Sequence, residues 1–271
     1  MKKINVSTVV TIAGSDSSGG AGIQADIKTI SALGCYAASI LTALTAQNTQ
    51  GVQAIYAISP DFIRQQMESV FSDLSVSAVK IGMLHDDSVI AAVVEQLKKF
   101  KPKQIVLDPV MVSKSGHALL KSDTIDFLTQ QLFPLISLIT PNIFEAEKLL
   151  GKKIHTIDEQ EKAAIQLGTL FRMNVLVKGG HLESDQSSDV LYLWEENRCE
   201  WFHADRIQTN NTHGTGCSFS SAIAAFLSKN QSLVEAVSSA KNYLTGALLS
   251  AKSQIVGQGA GPIDHFYFIE K

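Results

Sequence analysis

Cysteine is scarce in this chain: Cys35, Cys199 and Cys217 are scattered through 271 residues. Their odd number and wide spacing exclude a disulfide framework and a cysteine-built zinc site. The seven histidines are equally dispersed. No apolar stretch approaches the roughly 18 residues of a membrane span, and "MKKINVSTVV" has neither the apolar core nor the cleavage site of a secretory signal. Positive charge is not in excess, since 23 Lys and Arg face 26 Asp and Glu for a net charge of -3. The bulk electrostatics therefore point to neither nucleic acid nor an anionic membrane. The short basic piece "KKFKPK" at 98–103 reads as a solvated helix end. Repeats, low-complexity tracts and Pro/Gly/Ser-rich linkers are also missing. The expectation is one enzyme domain spanning 1–271, in the reducing cytoplasm.

What the chain has is alternation. Short β-branched runs, "VSTVVTIAG", "AVKIGML", "QIVLDPVM", "SLITPN" and "NVLVKGG", are separated by segments with helical signals. Several runs are apolar nearly throughout, as strands covered on both faces tend to be. In "SPDFIRQQMESVF", Ser59 is placed to cap a helix and Pro60 to open it, with Ile63, Met67 and Val70 on one side. Thr156 with Glu159, and Ser232 with Glu235, fit capping boxes. Leu233, Val237, Ala240, Leu244 and Leu248 form one stripe on the last long helix. "VLYLWEE" and "RCEWFHADR" predict an antiparallel hairpin turning near Asn197, at a sheet edge. This order of elements predicts an α/β fold with a mostly parallel central sheet covered on both faces. In such folds, ligands bind beyond the carboxyl ends of the strands.

Those ends carry the polar residues. "TNNTHGTGCSFSSAIAAF" at 209–226 runs a glycine-spaced turn into a small-residue helix, with Cys217 where they meet. Free amides and the dipole at a helix N-terminus make an anion site there. A plain glycine turn with a buried cysteine accounts for the same residues. "TIAGSDSSGGAGIQADIKT" at 11–29 is a glycine-rich loop lacking both the P-loop ending and a good dinucleotide spacing. Asp16 and Asp26 in it are candidate acceptors for a small ligand, although Asp26 also suits a surface helix. Asn142 and Glu145 in "LITPNIFEAEKLL" suit either water-mediated Mg²⁺ binding or a helix cap with its partner. Lys178 ends the apolar run of "NVLVKGGH", where it can meet a phosphate or reach solvent. Asp108 of "LDPVM" has a comparable position.

Together, "TIAGSDSSGGAGIQADIKT", "TALTAQNTQGV", "KIGML", "LDPVM", "TPNIFEAE", "VKGGH" and "NTHGTGCSFSSAIAA" resemble the hydroxymethylpyrimidine/phosphomethylpyrimidine kinases of thiamine biosynthesis, members of the ribokinase-like superfamily. The resemblance runs from about residue 8 to "GPIDHF" near the end. It implies a ribokinase-like three-layer α/β/α sandwich, paired as a homodimer. It also implies a reaction that uses ATP and Mg²⁺ to phosphorylate a small aminopyrimidine to the monophosphate and then the diphosphate. On the matching positions, Gly214, Thr215, Gly216 and Cys217 would stabilise the transferring phosphoryl group, with Cys217 as general base or positioning group. A helix N-terminus lowers a thiol pKa, which would favour the thiolate. Lys178, Asn142 and Thr212 would bind ATP, and Glu145 with Asp108 would organise Mg²⁺ through water. Gln47 would read the aminopyrimidine edge, Asp26 would bind the polar side of the ligand, and Gly14, Asp16, Met83 and Val110 would line the ring. "VSKSGHALL" at 112–120 resembles a flap closing over the site, and His213 is expected to serve structure before catalysis. The rivals are a pyridoxine or pyridoxal kinase, against which Gln47 argues, and a non-catalytic nucleotide or pyrimidine sensor. A cysteine hydrolase would need a His–Asn/Asp partner that the chain does not present.

Overall fold

A computed structural model describes residues 6–111, 124–182 and 185–269. Its centre is β1 (Thr8–Asp16), buried along almost its whole length. β2 (Tyr36–Asn48) and β4 (Val76–Ile81) flank it in parallel, and β3 (Gly51–Ala57) turns back antiparallel on β2. From β4 the sheet continues through β5 (Ile105–Leu107), β6 (Leu138–Ile139) and β7 (Asn174–Lys178), all parallel. It closes with the antiparallel pair β8 (Gln186–Leu193) and β9 (Arg198–Asp205). The order is β3-β2-β1-β4-β5-β6-β7-β8-β9. The chain winds one way from β1 to β2 and the other way from β4 onward, so the winding reverses between β1 and β4.

Strand neighbours point to opposite faces, and the burial follows that rule. Val10, Ile12, Val79, Ile81, Val175 and Val177 face one layer, built from α2 (Pro60–Asp73), α3 (Asp87–Phe100), α5 (Ile143–Leu150) and α6 (Ile157–Phe171). A short α4 (Thr124–Phe127) continues through irregular turns to Leu135 and packs beside α3. Val9, Ala78, Val106, Leu138 and Leu176 face the other layer, made of α1 (Gly22–Ala32), α7 (Thr215–Ser228) and α8 (Leu233–Ala251). The result is the expected three-layer sandwich. Among the described residues, no helix is long and apolar enough to cross a membrane.

Local signals set the helix starts. The Ser59 side chain accepts from Phe62 N–H, with Pro60 at the first position of α2. Ser232 and Glu235 form the complete capping box of α8. Thr156 caps α6 by accepting from Glu159 N–H, but the Glu159 carboxylate takes the N–H of His155 at 2.7 Å, one residue earlier than a regular box. The hairpin turn holds Asn197 at φ 47, as expected at the sheet edge. Sequence reading missed β2 and β3. The outer half of β2 alternates exposed with half-buried positions, and most of β3 is similar, so neither shows the continuous apolar run of the central strands.

Candidate active site

A cleft of about 860 Å³ opens along the carboxyl edge of the sheet. Gly14, Asp16, Gln47 and Met83 line it from the ends of β1, β2 and β4, while Asp108, Val110, Asn142, Glu145 and Lys178 line it from the ends of β5, β6 and β7. Thr212 and the turn Gly214-Thr215-Gly216-Cys217 line it where α7 begins. All but one of the site residues singled out in the sequence therefore share one cavity. The exception is Asp26. The flap segment 112–120 lies outside the described residues.

Gly214 explains the turn. It caps α7 at φ 78, and a Cβ there would lie 1.8 Å from Gly20 O, so glycine is required by conformation and by space. That contact joins the two glycine-rich loops. The first amides of a helix have no intrahelical partner; here Thr215 N–H donates to Thr212 O at 3.4 Å, and the turn borders the cleft beside Asp108 and Lys178. A Cβ on Gly216 would sit 3.3 Å from Asp108 Oδ2 and 3.5 Å from Lys178 Nζ.

Lys178 is not a solvated lysine. Its Nζ donates to Asp108 Oδ1 at 2.7 Å, and Thr140 Oγ1 donates to the same oxygen at 3.3 Å. Burial alone would lower the Lys178 pKa, but the charges of Asp108 and Glu145 raise it above its ordinary value. Asn142 and Glu145 form the full capping box of α5: Asn142 Oδ1 accepts from Glu145 N–H at 3.0 Å, and Glu145 Oε2 accepts from Asn142 N–H at 2.8 Å. The cap is thus real, and the same carboxylate borders the cleft. Burial pushes Glu145 up to about 7, with Lys178 opposing and Asp108 reinforcing the rise.

Two expectations need correction. Asp26 does not bind ligand from the cleft wall, because it has no exposed surface. Its Oδ2 accepts from Thr11 Oγ1 at 2.6 Å, its Oδ1 from Ser221 Oγ at 2.7 Å, and both oxygens from Lys80 Nζ at 2.9 and 2.8 Å. Lys80, itself fully buried in the cleft floor, went unnoticed as a site residue because it sits inside an otherwise apolar strand. Burial would lower its pKa, but Asp26 raises it above the ordinary lysine value. The second correction concerns Cys217. Burial pushes its thiol up to about 11 with the charge of Lys80 opposing the rise, the reverse of the lowering expected from a helix N-terminus alone.

Asp16 organises its loop. Ser18 N–H and Ser18 Oγ donate to Oδ1 at 2.8 and 2.7 Å, and the N–H groups of Gly20 and Ala21 donate to Oδ2 at 3.1 and 2.8 Å. His213 Nε2 lies 2.8 Å from Oδ2. Burial would raise this carboxyl, but the His213, Ser18 and Ala21 donors hold it down at about 2. A further buried pair at the far end, Lys241 Nζ to Asp189 Oδ2 at 2.6 Å, also lines the cleft and was not singled out in the sequence. Its two members are 52 residues apart, so no local pattern joins them.

This architecture, with a helix N-terminus facing a buried lysine–carboxylate cluster, places the protein among the ribokinase-like small-molecule kinases. The structure of Bacillus subtilis pyridoxal kinase in an ADP complex superposes with a TM-score of 0.88 at 36% identity, covering 97% of this chain and 99% of that one. More narrowly, the chain belongs to the phosphomethylpyrimidine kinase family, which matches residues 16–264. A hydroxymethylpyrimidine/phosphomethylpyrimidine kinase of Escherichia coli is 48% identical over 98% of this chain and 99% of its own length. A thiamine biosynthesis bifunctional protein of Geobacter sulfurreducens is 46% identical over 97% of this chain, which spans 53% of that longer protein.

Proposed function

We propose that this cleft transfers the γ-phosphoryl group of ATP to the hydroxymethyl oxygen of 4-amino-5-hydroxymethyl-2-methylpyrimidine, then phosphorylates that monophosphate to the diphosphate, as a step of thiamine biosynthesis. Family membership supports kinase chemistry on this substrate class. The observation that carries the site reading is the meeting of two residue sets at one helix N-terminus: Gln47, Gly14, Met83 and Val110 on one side, and Lys178, Asp108 and Glu145 on the other.

Phosphoryl transfer requires positioning and charge neutralisation more than covalent chemistry. The amides of Gly214, Thr215, Gly216 and Cys217 would stabilise negative charge developing on the transferring group. Lys178 would exchange part of its bond to Asp108 for the ATP phosphates, with Asn142 and Thr212 bordering the nucleotide. The residues present fit Mg²⁺ held mainly by phosphates and water. Among the described residues no group of three His, Cys, Asp or Glu could cage a metal, but Glu145 and Asp108 bring two buried carboxylates to the cleft. When bound, Mg²⁺ supplies positive charge that neutralises and orients the phosphates. With its thiol pKa raised, Cys217 would position the acceptor hydroxyl, whose proton would pass to an oxygen of the transferring phosphoryl group as the new O–P bond forms and the bond to ADP breaks. Replacement by Ser should then keep kcat within about tenfold, whereas loss of a general base costs about 10²–10⁴-fold.

The test is ADP release by purified protein with Mg²⁺-ATP and the hydroxymethylpyrimidine, following products to the mono- and diphosphate, with pyridoxal as a parallel acceptor. Turnover of the pyrimidine through to the diphosphate is expected. Pyridoxal phosphorylation is the second reading, supported by the likeness to the Bacillus subtilis pyridoxal kinase, and preference for pyridoxal would replace the first. A homodimer in the cytoplasm belongs to the same proposal. Leu44 and its cross-strand neighbour Tyr56, 41% and 72% exposed, give the β2–β3 edge an apolar surface suited to a second copy. Sedimentation of a Tyr56→Glu variant as a monomer would support that surface.

A further inference from the structure

The hydrogen bonds around Gln47 determine more than its position. The side chain leaves the outer part of β2, and its backbone is tied to the glycine-rich loop: Ser17 Oγ donates to Gln47 O at 2.8 Å and accepts from Gln47 N–H at 2.9 Å. Its terminal amide lies between two groups. Gln47 Nε2 and His213 Nε2 are 3.4 Å apart, and Gln47 Oε1 and Thr45 Oγ1 are 3.1 Å apart. A half-turn of the amide exchanges its oxygen and nitrogen, and only the neighbours decide between the two orientations.

Both neighbours decide the same way. Asp16 accepts four bonds from Ser18, Gly20 and Ala21 and is ionised, so it has no proton to give His213. The proton of the 2.8 Å contact therefore sits on His213 Nε2. An amide nitrogen at 3.4 Å would find no acceptor there and set donor against donor, whereas an amide oxygen would share that N–H with Asp16 as its second, weaker acceptor. Thr45 Oγ1 has a single proton, and its shorter contact, 2.7 Å to Ser15 O, takes it. What Thr45 then offers Gln47 is a lone pair, which calls for the amide nitrogen. We propose that His213 and Thr45 are specificity-determining positioning residues that lock the Gln47 amide with its carbonyl toward His213 and its NH₂ toward Thr45.

This inference rests on the aminopyrimidine reading and sharpens it. In the locked orientation Gln47 keeps one donor and one acceptor for a ligand, side by side. They complement the ring nitrogen and exocyclic amine on one edge of a 4-aminopyrimidine. The 5-hydroxymethyl group adjoins that amine, so it falls on the carbonyl side of Gln47, toward His213 and the Gly214–Cys217 turn that follows it. The opposite orientation would turn the ring over and carry the hydroxyl away from the turn. A 4-oxo analogue, with a ring N–H donor and a carbonyl acceptor, presents the reversed pattern and is rejected by the locked amide.

The experiment compares affinity and turnover for the 4-amino compound and its 4-oxo analogue in the wild type, Thr45→Val, His213→Gln and Gln47→Ala. Wild type is expected to prefer the amino compound. Thr45→Val, nearly isosteric, should reduce that preference about tenfold, as expected for one lost hydrogen bond, through KM more than kcat. His213→Gln should reduce it similarly. In the Gln47→Ala background the Thr45→Val change should have no further effect on the ratio. An unchanged amino/oxo ratio in both single variants, or an undiminished Thr45→Val effect without Gln47, overturns the locking. Wild type that binds neither compound while it phosphorylates pyridoxal overturns the underlying substrate reading instead.

Discussion

Lys80 near the end of β4 and Lys178 at the end of β7 both rise from apolar strands toward the cleft, and each meets an aspartate far away in the sequence. The Lys80–Asp26 pair is sealed, with both side chains at 0% exposure, and Thr11 and Ser221 complete the coordination of the carboxylate. The Lys178–Asp108 pair is slightly open, at 13% and 3%, and has Glu145 as a third charged neighbour. The chemistry is the same in both pairs, but access differs. A pair with no path to solvent joins the elements that carry it, here α1, β1, β4 and α7. A pair at the cleft wall can trade a partner for a ligand.

Breaking the sealed pair should give the largest effect. Lys80→Met leaves Asp26 charged and buried, which typically costs about 3–5 kcal/mol. Urea denaturation should show that loss, and Asp26→Leu added to it should restore most of the stability. A Lys80→Met protein as stable as wild type would remove the distinction between the pairs. Lys178→Met should lower kcat/KM for ATP by about 10²–10³-fold, the scale for one lost electrostatic donor, while its stability loss, with Asp108 beside the open cleft, should be smaller than that of Lys80→Met.

The Asp16–His213 contact tests an intermediate case, since it borders the cleft but is wired into its own loop. Its folded pKa of about 2 lies below the ordinary 3.8, so its stabilisation is present above pH 3.8 and is lost as pH falls toward 2. The difference corresponds to about 2 kcal/mol. Asp16→Asn should show that cost at pH 6 and little of it at pH 2. Glu145 gives the smallest and most graded signal. With its pKa raised to about 7, the free enzyme loses the ionised form as pH falls through 7. The ATP kcat/KM should then drop about tenfold per unit below that point, and the residual activity of Glu145→Gln should be flat over the same range.

The central strands were legible because continuous apolar runs mark strands covered on both faces. Ser232 and Asn142 announced their helices through a glutamate three positions on, and Ser59 through the proline that follows it. The edge strand β3 and the outer half of its neighbour β2 were not legible, since a half-exposed strand shares its mixed composition with loops. In the site, the glycine turn before Cys217 and the Asn142–Glu145 spacing were visible locally. The pairing of Lys178 with Asp108 across 70 residues was not. Asp26 was misplaced for the same reason: a carboxylate on a helix reads as exposed until the buried Lys80, 54 residues on, is brought beneath it. Local chemistry shows which residues can act, but burial decides which of them do.

The reversal of winding between β1 and β4 has a consequence for how such an enzyme changes over generations. The residues proposed to choose the acceptor come mostly from the first 83 positions, before the chain reaches the strands that carry Asp108, Asn142, Glu145 and Lys178. Apart from Val110 and His213, the residues for acceptor preference and those for phosphate handling are thus written in separate stretches of the gene. A single crossover shortly after β4 would exchange most of the acceptor pocket while inheriting the phosphate handling intact. A chimera joining the first 83 residues of a pyridoxal-phosphorylating relative to the remainder of this chain would put that separability to work.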